Sequence, residues 1–379
     1  MENELIALNM LAGKGYSYDL LGKPSPSAFV GVLYTAFLYF HFLIFGKNYL
    51  FVELTQALLG SVSAVLLALI GKKLIKEQVG IFSGLIFAFY PIYVYWVTVA
   101  QKLILDIFLL EFSLYLVLIS CEKDRFSWHF LAGVWMGLTA LSKSFYLSFI
   151  ALYWLWILLW KRPKFKKALL MGILWGFGAL VAISPWTIRN YRVFGRFVPL
   201  TSSAGVNFWL GNNPEATGGL YSKEGKRILS LVPPNLMEKV KKAKDEAEVD
   251  EILGKAGWEW VKSHPKKFLK LIPLRLRALW WFDPEMKSKF PLLRKIVYVF
   301  LLGLALPGAF LSRKLWRNLL IFYLLAVWET VFYSFFFGQA RFRYVIEFGF
   351  ILFAGYFLCF LWQKLTTRFS SASFLTSKI

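Results

Sequence analysis

About nine stretches of predominantly apolar side chains, each close to the ~20 residues that a helix needs to cross a hydrocarbon layer, recur along this chain. They cover residues 51–70, 79–97, 103–120, 128–141, 145–160 and 168–183, then 296–311, 319–337 and 345–361. Composition points the same way, because 58% hydrophobic and only 17% charged residues describe a surface that water does not solvate. A shorter run at 29–45 is a further candidate span that could instead lie along the interface. The expected fold is an all-α polytopic membrane protein with one small mixed extracytoplasmic domain inserted between transmembrane helices.

Basic clusters orient the spans. Lys72, Lys73 and Lys76, then Lys161, Arg162, Lys164, Lys166 and Lys167, then Arg313, Lys314 and Arg317 fall in alternate short loops, which marks those loops as cytoplasmic. The resulting order is a first outer loop with interfacial helices (1–50), about six spans (51–184), an extracytoplasmic domain (185–292), about three spans (293–363) and a cytoplasmic tail (364–379). Lys102, Lys143 and Arg341 to Arg343 then share the outer face. If 29–45 does not span, this parity exports residues 1–50 without a preceding span; either 29–45 crosses and the N-terminus is cytoplasmic, or, the favoured expectation, a further helix lies ahead of Met1.

The net charge of +22 implies anionic headgroups and lipid phosphates as partners rather than nucleic acid, since the cations sit between apolar runs. Cys121 and Cys359 lie at or inside distant spans, without metal-ligand spacing or an evident disulfide partner. His41, His129 and His264 are scattered, and no structural zinc is expected. Gly133 and Gly137 have the spacing of a close helix contact. Pro91, followed by Tyr93, Tyr95 and Trp96, reads as a kink ending in an aromatic interfacial belt. The stretch 236–261 reads as one charged surface helix.

Carboxylates inside spans are costly and therefore functional suspects. Glu53 and Glu347 lie near span ends within reach of water, and Lys102 with Asp106 has the spacing of a helical ion pair. Glu111 and Glu329 have no such explanation, which keeps a transporter or flippase reading open.

Beyond the sixth span the chain reads PWTIRNYRVFGRFVPLTSSAGVNFWLGNNPEATGG from Pro185. This string resembles the loop after the middle spans of bacterial GT-C transferases related to protein mannosyltransferases and lipid A aminoarabinose transferases. LAGVWMGLTALSKS, HPKKFLKLIPLRLRALWWFDPE, QARFRYVIEF and ENELIALNMLAGKGYS are similar to other family segments in the same order, although Val345 and Phe348 replace usual prolines. The resemblance implies transfer of a sugar from a polyprenyl-phosphate donor to a lipid, glycan or protein acceptor at the outer face of a plasma (bacterial inner) membrane.

It also implies site residues. Glu2 takes the place of the family's second first-loop acid, the preceding Asp being expected ahead of Met1, and Glu4 is the other candidate carboxylate. Lys143, Arg189, Arg341 and Arg343 are candidates to hold the lipid phosphate, with Lys23 and Lys102 as weaker ones. Each is alternatively an interfacial cation snorkelling to headgroups. Asn190, Asn207, Asn212, Asn213 and Tyr344 are candidate sugar or acceptor contacts, the asparagines being equally suited to tight turns. No cofactor is indicated; a divalent metal is left open, because related enzymes divide on it. A homologue that binds lipid-linked glycan without transferring it is the nearest alternative.

Overall fold

A computed structural model describes residues 2–20, 25–281 and 291–376, with side chains as far as residue 366. Lys23 and the Phe282–Glu285 end of the HPKK segment lie outside the described residues. The elements are nearly all helical: α1 (Glu2–Leu11), α2 (Val32–Phe45), α3 (Tyr49–Leu74), α4 (Glu77–Phe89), α5 (Pro91–Val97), α6 (Leu103–Lys123), α7 (Phe126–Ser142) and α8 (Phe149–Lys161). They continue with α9 (Phe165–Phe194), α10 (Ala204–Gly211), α11 (Pro234–Lys242), α12 (Glu246–Ser263), α13 (Pro265–Trp280), α14 (Pro291–Leu311), α15 (Trp316–Phe335), α16 (Ala340–Tyr344) and α17 (Glu347–Thr376).

Six helical segments are long and apolar enough to span, and α4 with α5, bent by 52° at Tyr90–Pro91, forms a seventh. One of the six, Pro291–Phe335, holds two crossings. Near its start Tyr298 stacks under Arg343, and near its end Tyr333 accepts from Lys143, whereas Asn318 in the middle reaches the far end of α3. The 3₁₀ turn Ser312–Leu315 makes the reversal. The 17-residue α7 packs along α9 with its backbone against it: a Cβ on Gly137 would sit 2.7 Å from Ala179 O, and one on Gly133 would collide with Trp175 O. Small residues at these positions serve close packing. With these, nine crossings are present among the described residues.

The helix ends gather into two rims. At one, Lys73 meets Glu122 and Lys167 meets Asp124 at 2.6 Å each, Asn318 Nδ2 donates to Leu74 O and Trp156 Nε1 donates to Arg317 O. This rim collects all three basic clusters that the sequence placed in alternate loops. At the other, Lys102 donates to Ser142 O, Lys143 to the Tyr333 hydroxyl and Trp328 to Ser148 Oγ. Helix α2 stays at this second rim: Gly31 at its start abuts Ser142, and Phe45 at its end stacks on Phe51.

Several expectations need correcting. The sixth span does not stop at Pro185; α9 runs on to Phe194, where Gly195 in the left-handed region (φ 64°) ends it. Proline removes the N–H that would bond Val181 O, and the Ser184 hydroxyl donates to that carbonyl instead, a substitution that lets helices tolerate proline. The inserted domain is helical (α10–α13) rather than mixed, with one isolated bridge, Tyr221–Arg227, among its described residues. The 236–261 stretch is two helices, because Asp245 accepts from Glu248 N and caps a new start. Tyr93 is buried rather than part of an aromatic belt, since the bend turns it, with Tyr90, toward α17: Tyr90 donates to Glu347 Oε2 and Tyr93 to Tyr344 O. Glu347 is correspondingly buried, out of reach of water. The boundary at 363 falls inside α17.

Candidate functional site

A cavity of about 620 Å³ opens at the second rim. Its walls come from α1, the start of α2, the 100–106 segment, the α7–α8 turn, the start of α10, the end of α15 and α16. Glu2, Glu4, Asn207, Lys143 and Arg341 all line it. So do Lys102 and Asp106, the latter read from sequence only as half of a helical ion pair.

The carboxylate wall is held from three directions. Thr35 Oγ1 donates to Asn3 Oδ1 at 3.0 Å, which sets α1 on α2. Arg189 donates to Ser27 O (2.6 Å) and Tyr16 O (3.1 Å), so its guanidinium fastens the first loop. From the inserted domain, Glu246 accepts from Ser27 Oγ (2.6 Å), Ala28 N (2.7 Å) and the Ser202 hydroxyl. Of the two acids on this wall, Glu4 is engaged by the Tyr49 hydroxyl and by Lys47 at 3.0 Å. The Tyr49 bond, more than the Lys47 contact, holds its carboxyl below the usual value. No hydrogen bond or ion pair engages Glu2 among the described residues.

The cationic wall is differently built. Lys143 donates to the Tyr333 hydroxyl (2.6 Å) and lies 4.5 Å from the centre of the Phe342 ring, itself stacked on Tyr333 at 4.4 Å. Aromatic faces thus replace part of its hydration. Arg341 is accessible to water, yet protein surrounds its guanidinium on nearly every side, as expected of a side chain that opens into a cavity. Burial pulls its pKa down, and the facing Glu2 carboxylate opposes that pull. No carboxylate forms a salt bridge with Lys143 or Arg341 among the described residues. Lys102, by contrast, pairs with Asp106 at 3.4 Å, and Asp106 also accepts from the Ser142 and Tyr146 hydroxyls. Trp96, Phe332, Phe336 and Phe337 supply apolar wall.

Other candidates from the sequence stand outside this lining. Arg343 is fully buried, paired with Glu347 at 2.7 Å and donating to Leu279, Trp280 and Trp281 carbonyls. Its Nε serves Glu347 and its Nη1 the end of α13. Asn190 donates to Val198 O and Leu200 O, which closes the turn after α9. Asn212 donates to Phe208 O and Phe335 O, and Asn213 to Trp209 O and Leu210 O. Tyr344 is buried beside Trp96. Arg343 and the three asparagines fix backbone, and neither they nor Tyr344 line the cavity. Arg275 belongs with them: it is buried and donates to Ser334 O, Gly211 O and Asn212 Oδ1.

Three comparisons bear on what this arrangement is. The family model described as dolichyl-phosphate-mannose-protein mannosyltransferase matches residues 30–188. No curated protein matches the sequence. Among solved structures, the chain is similar to the archaeal oligosaccharyltransferase AglB from Archaeoglobus fulgidus, solved in complex with an inhibitory peptide and a dolichol-phosphate. The TM-score is 0.58 at 13% identity, over 98% of this chain and 47% of that one. The chain thus spans about half the length of that relative, and the likeness is one of fold. The family model matches the first spans and the fold of AglB runs along nearly the whole chain, so the chain is a multi-pass membrane protein that shares that fold.

Proposed function

We propose that the chain transfers a sugar from a polyprenyl-phosphate donor to an acceptor hydroxyl or amide, with the reaction in the cavity of about 620 Å³. The observation that carries the reading is the opposition of Glu2 to Arg341 and Lys143 across one cavity, with no carboxylate among the described residues paired to either cation. The AglB structure, with its bound dolichol-phosphate and peptide, supports a lipid-phosphate donor and a protein acceptor as the first to test. The distribution of lysine and arginine supports a cytoplasmic basic rim and a cavity that opens on the outer side of a plasma membrane.

In this step the bond between the sugar's C1 and the phosphate oxygen breaks, and a bond from C1 to the acceptor oxygen or nitrogen forms. The acceptor's proton passes to Glu2. Negative charge gathers on the departing lipid phosphate, where Arg341 offers a bidentate pair of donors and Lys143 a point charge. Cations held in place for a developing anion lower the barrier without reorganising. The apolar wall at Trp96, Phe332 and Phe336 receives the first isoprene units.

The test is sugar transfer from a polyprenyl-phosphate sugar to a peptide acceptor by the full chain in detergent or vesicles. Glu2→Gln is expected to lower turnover by about 10²- to 10⁴-fold, the usual worth of a general base, while donor binding persists. Wild-type turnover in Glu2→Gln would remove the base from Glu2. Donor binding without transfer in the parent protein would favour the non-transferring homologue.

A further inference from the structure

We propose that a second cavity, on the inserted domain, binds the acidic group of an anionic saccharide. About 350 Å³ in volume, it lies between the 214–219 segment and α13. Lys223, Lys267, Lys270 and Arg277 converge on it, and among the described residues no acidic one lines it. Helix α13 arranges three of these: positions 267, 270 and 277 fall within one narrow arc of a 3.6-residue helix, with Leu271 and Leu274 between them as an apolar floor. Trp260 of α12 supplies an aromatic wall.

The charge pattern is what singles this place out. Three cations elsewhere in the inserted domain meet carboxylates, Lys242 with Glu238 (2.6 Å), Lys255 with Glu251 (2.5 Å) and Arg196 with Glu251 (3.3 Å), but none of the three gathers with other cations around this cavity. Helix α13 carries five cations and no acid, and no salt bridge reaches the four that line the cavity among the described residues. Like charges gathered in one concave place repel each other, and a bound anion relieves that repulsion. Four donors around one anion suit a phosphate or carboxylate, and the indole beside them suits the apolar face of a sugar ring. The proposal concerns binding alone and stands whether or not the chain transfers a sugar.

The experiment is a titration of the full-length protein in detergent with glucose 6-phosphate, alongside glucose and inorganic phosphate. Glucose 6-phosphate is expected to bind most tightly and glucose not at all. Lys267→Glu combined with Lys270→Glu should weaken binding by about tenfold or more, because both lysines are exposed and two attractive charges become repulsive. Trp260→Leu should erase the preference for glucose 6-phosphate over phosphate. Arg341→Ala, which alters only the first cavity, should leave the affinity unchanged. Unaltered affinity in the double lysine variant would overturn the site. Equal binding of inorganic phosphate and glucose 6-phosphate by the parent protein would overturn the saccharide, and a loss in Arg341→Ala would move the binding to the first cavity.

Discussion

Arg341 and Arg343 stand two residues apart on the same short helix, and they are opposite in kind. Arg343 has its guanidinium enclosed, with Glu347 on one side and three carbonyls of the α13 end on the other. Arg341 opens into water with no carboxylate or carbonyl bound to it among the described residues. The same contrast divides the rest of the second rim: Arg189 and Arg275 donate to backbone oxygens, whereas among the described residues Lys143 meets a hydroxyl and aromatic faces. A guanidinium that folding has already satisfied holds the walls. One that folding leaves without an anion has donors to give a ligand.

Breaking the two arginines separately gives the largest effects. Arg343→Ala leaves Glu347 as a buried charge without its partner, which typically costs about 3–5 kcal/mol; thermal unfolding in detergent should show a large loss of stability. Arg341→Ala removes no internal bond, so its stability should stay within about 0.5 kcal/mol of the parent. Its transfer rate should nonetheless drop by about 10²- to 10³-fold, the effect of losing one charge-stabilising donor. A folded Arg343→Ala protein with normal stability, or an unstable Arg341→Ala, would dissolve the distinction.

Lys143 sharpens the comparison at smaller scale. It sits at the rim between α7 and the next span, and burial, assisted by the charge of Lys102, holds its ammonium below the ordinary lysine value. As pH rises it therefore loses its proton earlier than a solvated lysine. Affinity for an anionic donor should decline on the alkaline side sooner than ordinary lysine chemistry predicts. Lys143→Arg keeps the charge throughout, so donor affinity measured against pH should hold to higher pH. A limb in the same place in both proteins would remove Lys143 from the phosphate site.

Smaller still is the effect expected at Glu246, which ties the first loop to the inserted domain through Ser27, Ala28 and Ser202. Glu246→Gln keeps the shape and one carbonyl acceptor but weakens charge-assisted bonds, each worth about 1.5–3 kcal/mol. The first loop should loosen, read as faster amide exchange at residues 25–30 while the spans stay protected. Exchange unchanged there would show that Arg189 alone holds the loop.

Much of the architecture is legible in the sequence because its causes are local. Run length sets a span, and lysine clusters mark one rim, so the order of spans follows from reading along the chain. The α9 extension was hidden because Pro185 ordinarily ends a helix, and only the Ser184 hydroxyl reveals how it continues. The site divides similarly. Motif position brings Arg189, Asn190, Asn212, Asn213, Arg341 and Arg343 under one description, since each is polar and close to the second rim. Their separation into cavity lining and scaffold depends on which backbone oxygen lies opposite each donor, and that is settled by contacts as distant as Arg189 with Tyr16 and Arg343 with Leu279. Asp106 is the reverse case: its spacing to Lys102 explains the ion pair completely, and nothing local shows that the pair faces a cavity.

The most direct test is equilibrium binding of a polyprenyl phosphate to the full chain, with Arg341→Ala and Glu2→Gln measured beside it. Saturable binding that Arg341→Ala weakens by about tenfold or more, the worth of roughly one charge-assisted contact, and that Glu2→Gln retains, is the result expected of a cavity with a cationic wall for phosphate and a separate carboxylate for the acceptor. Binding that ignores Arg341, or that depends on Glu2 instead, would contradict it.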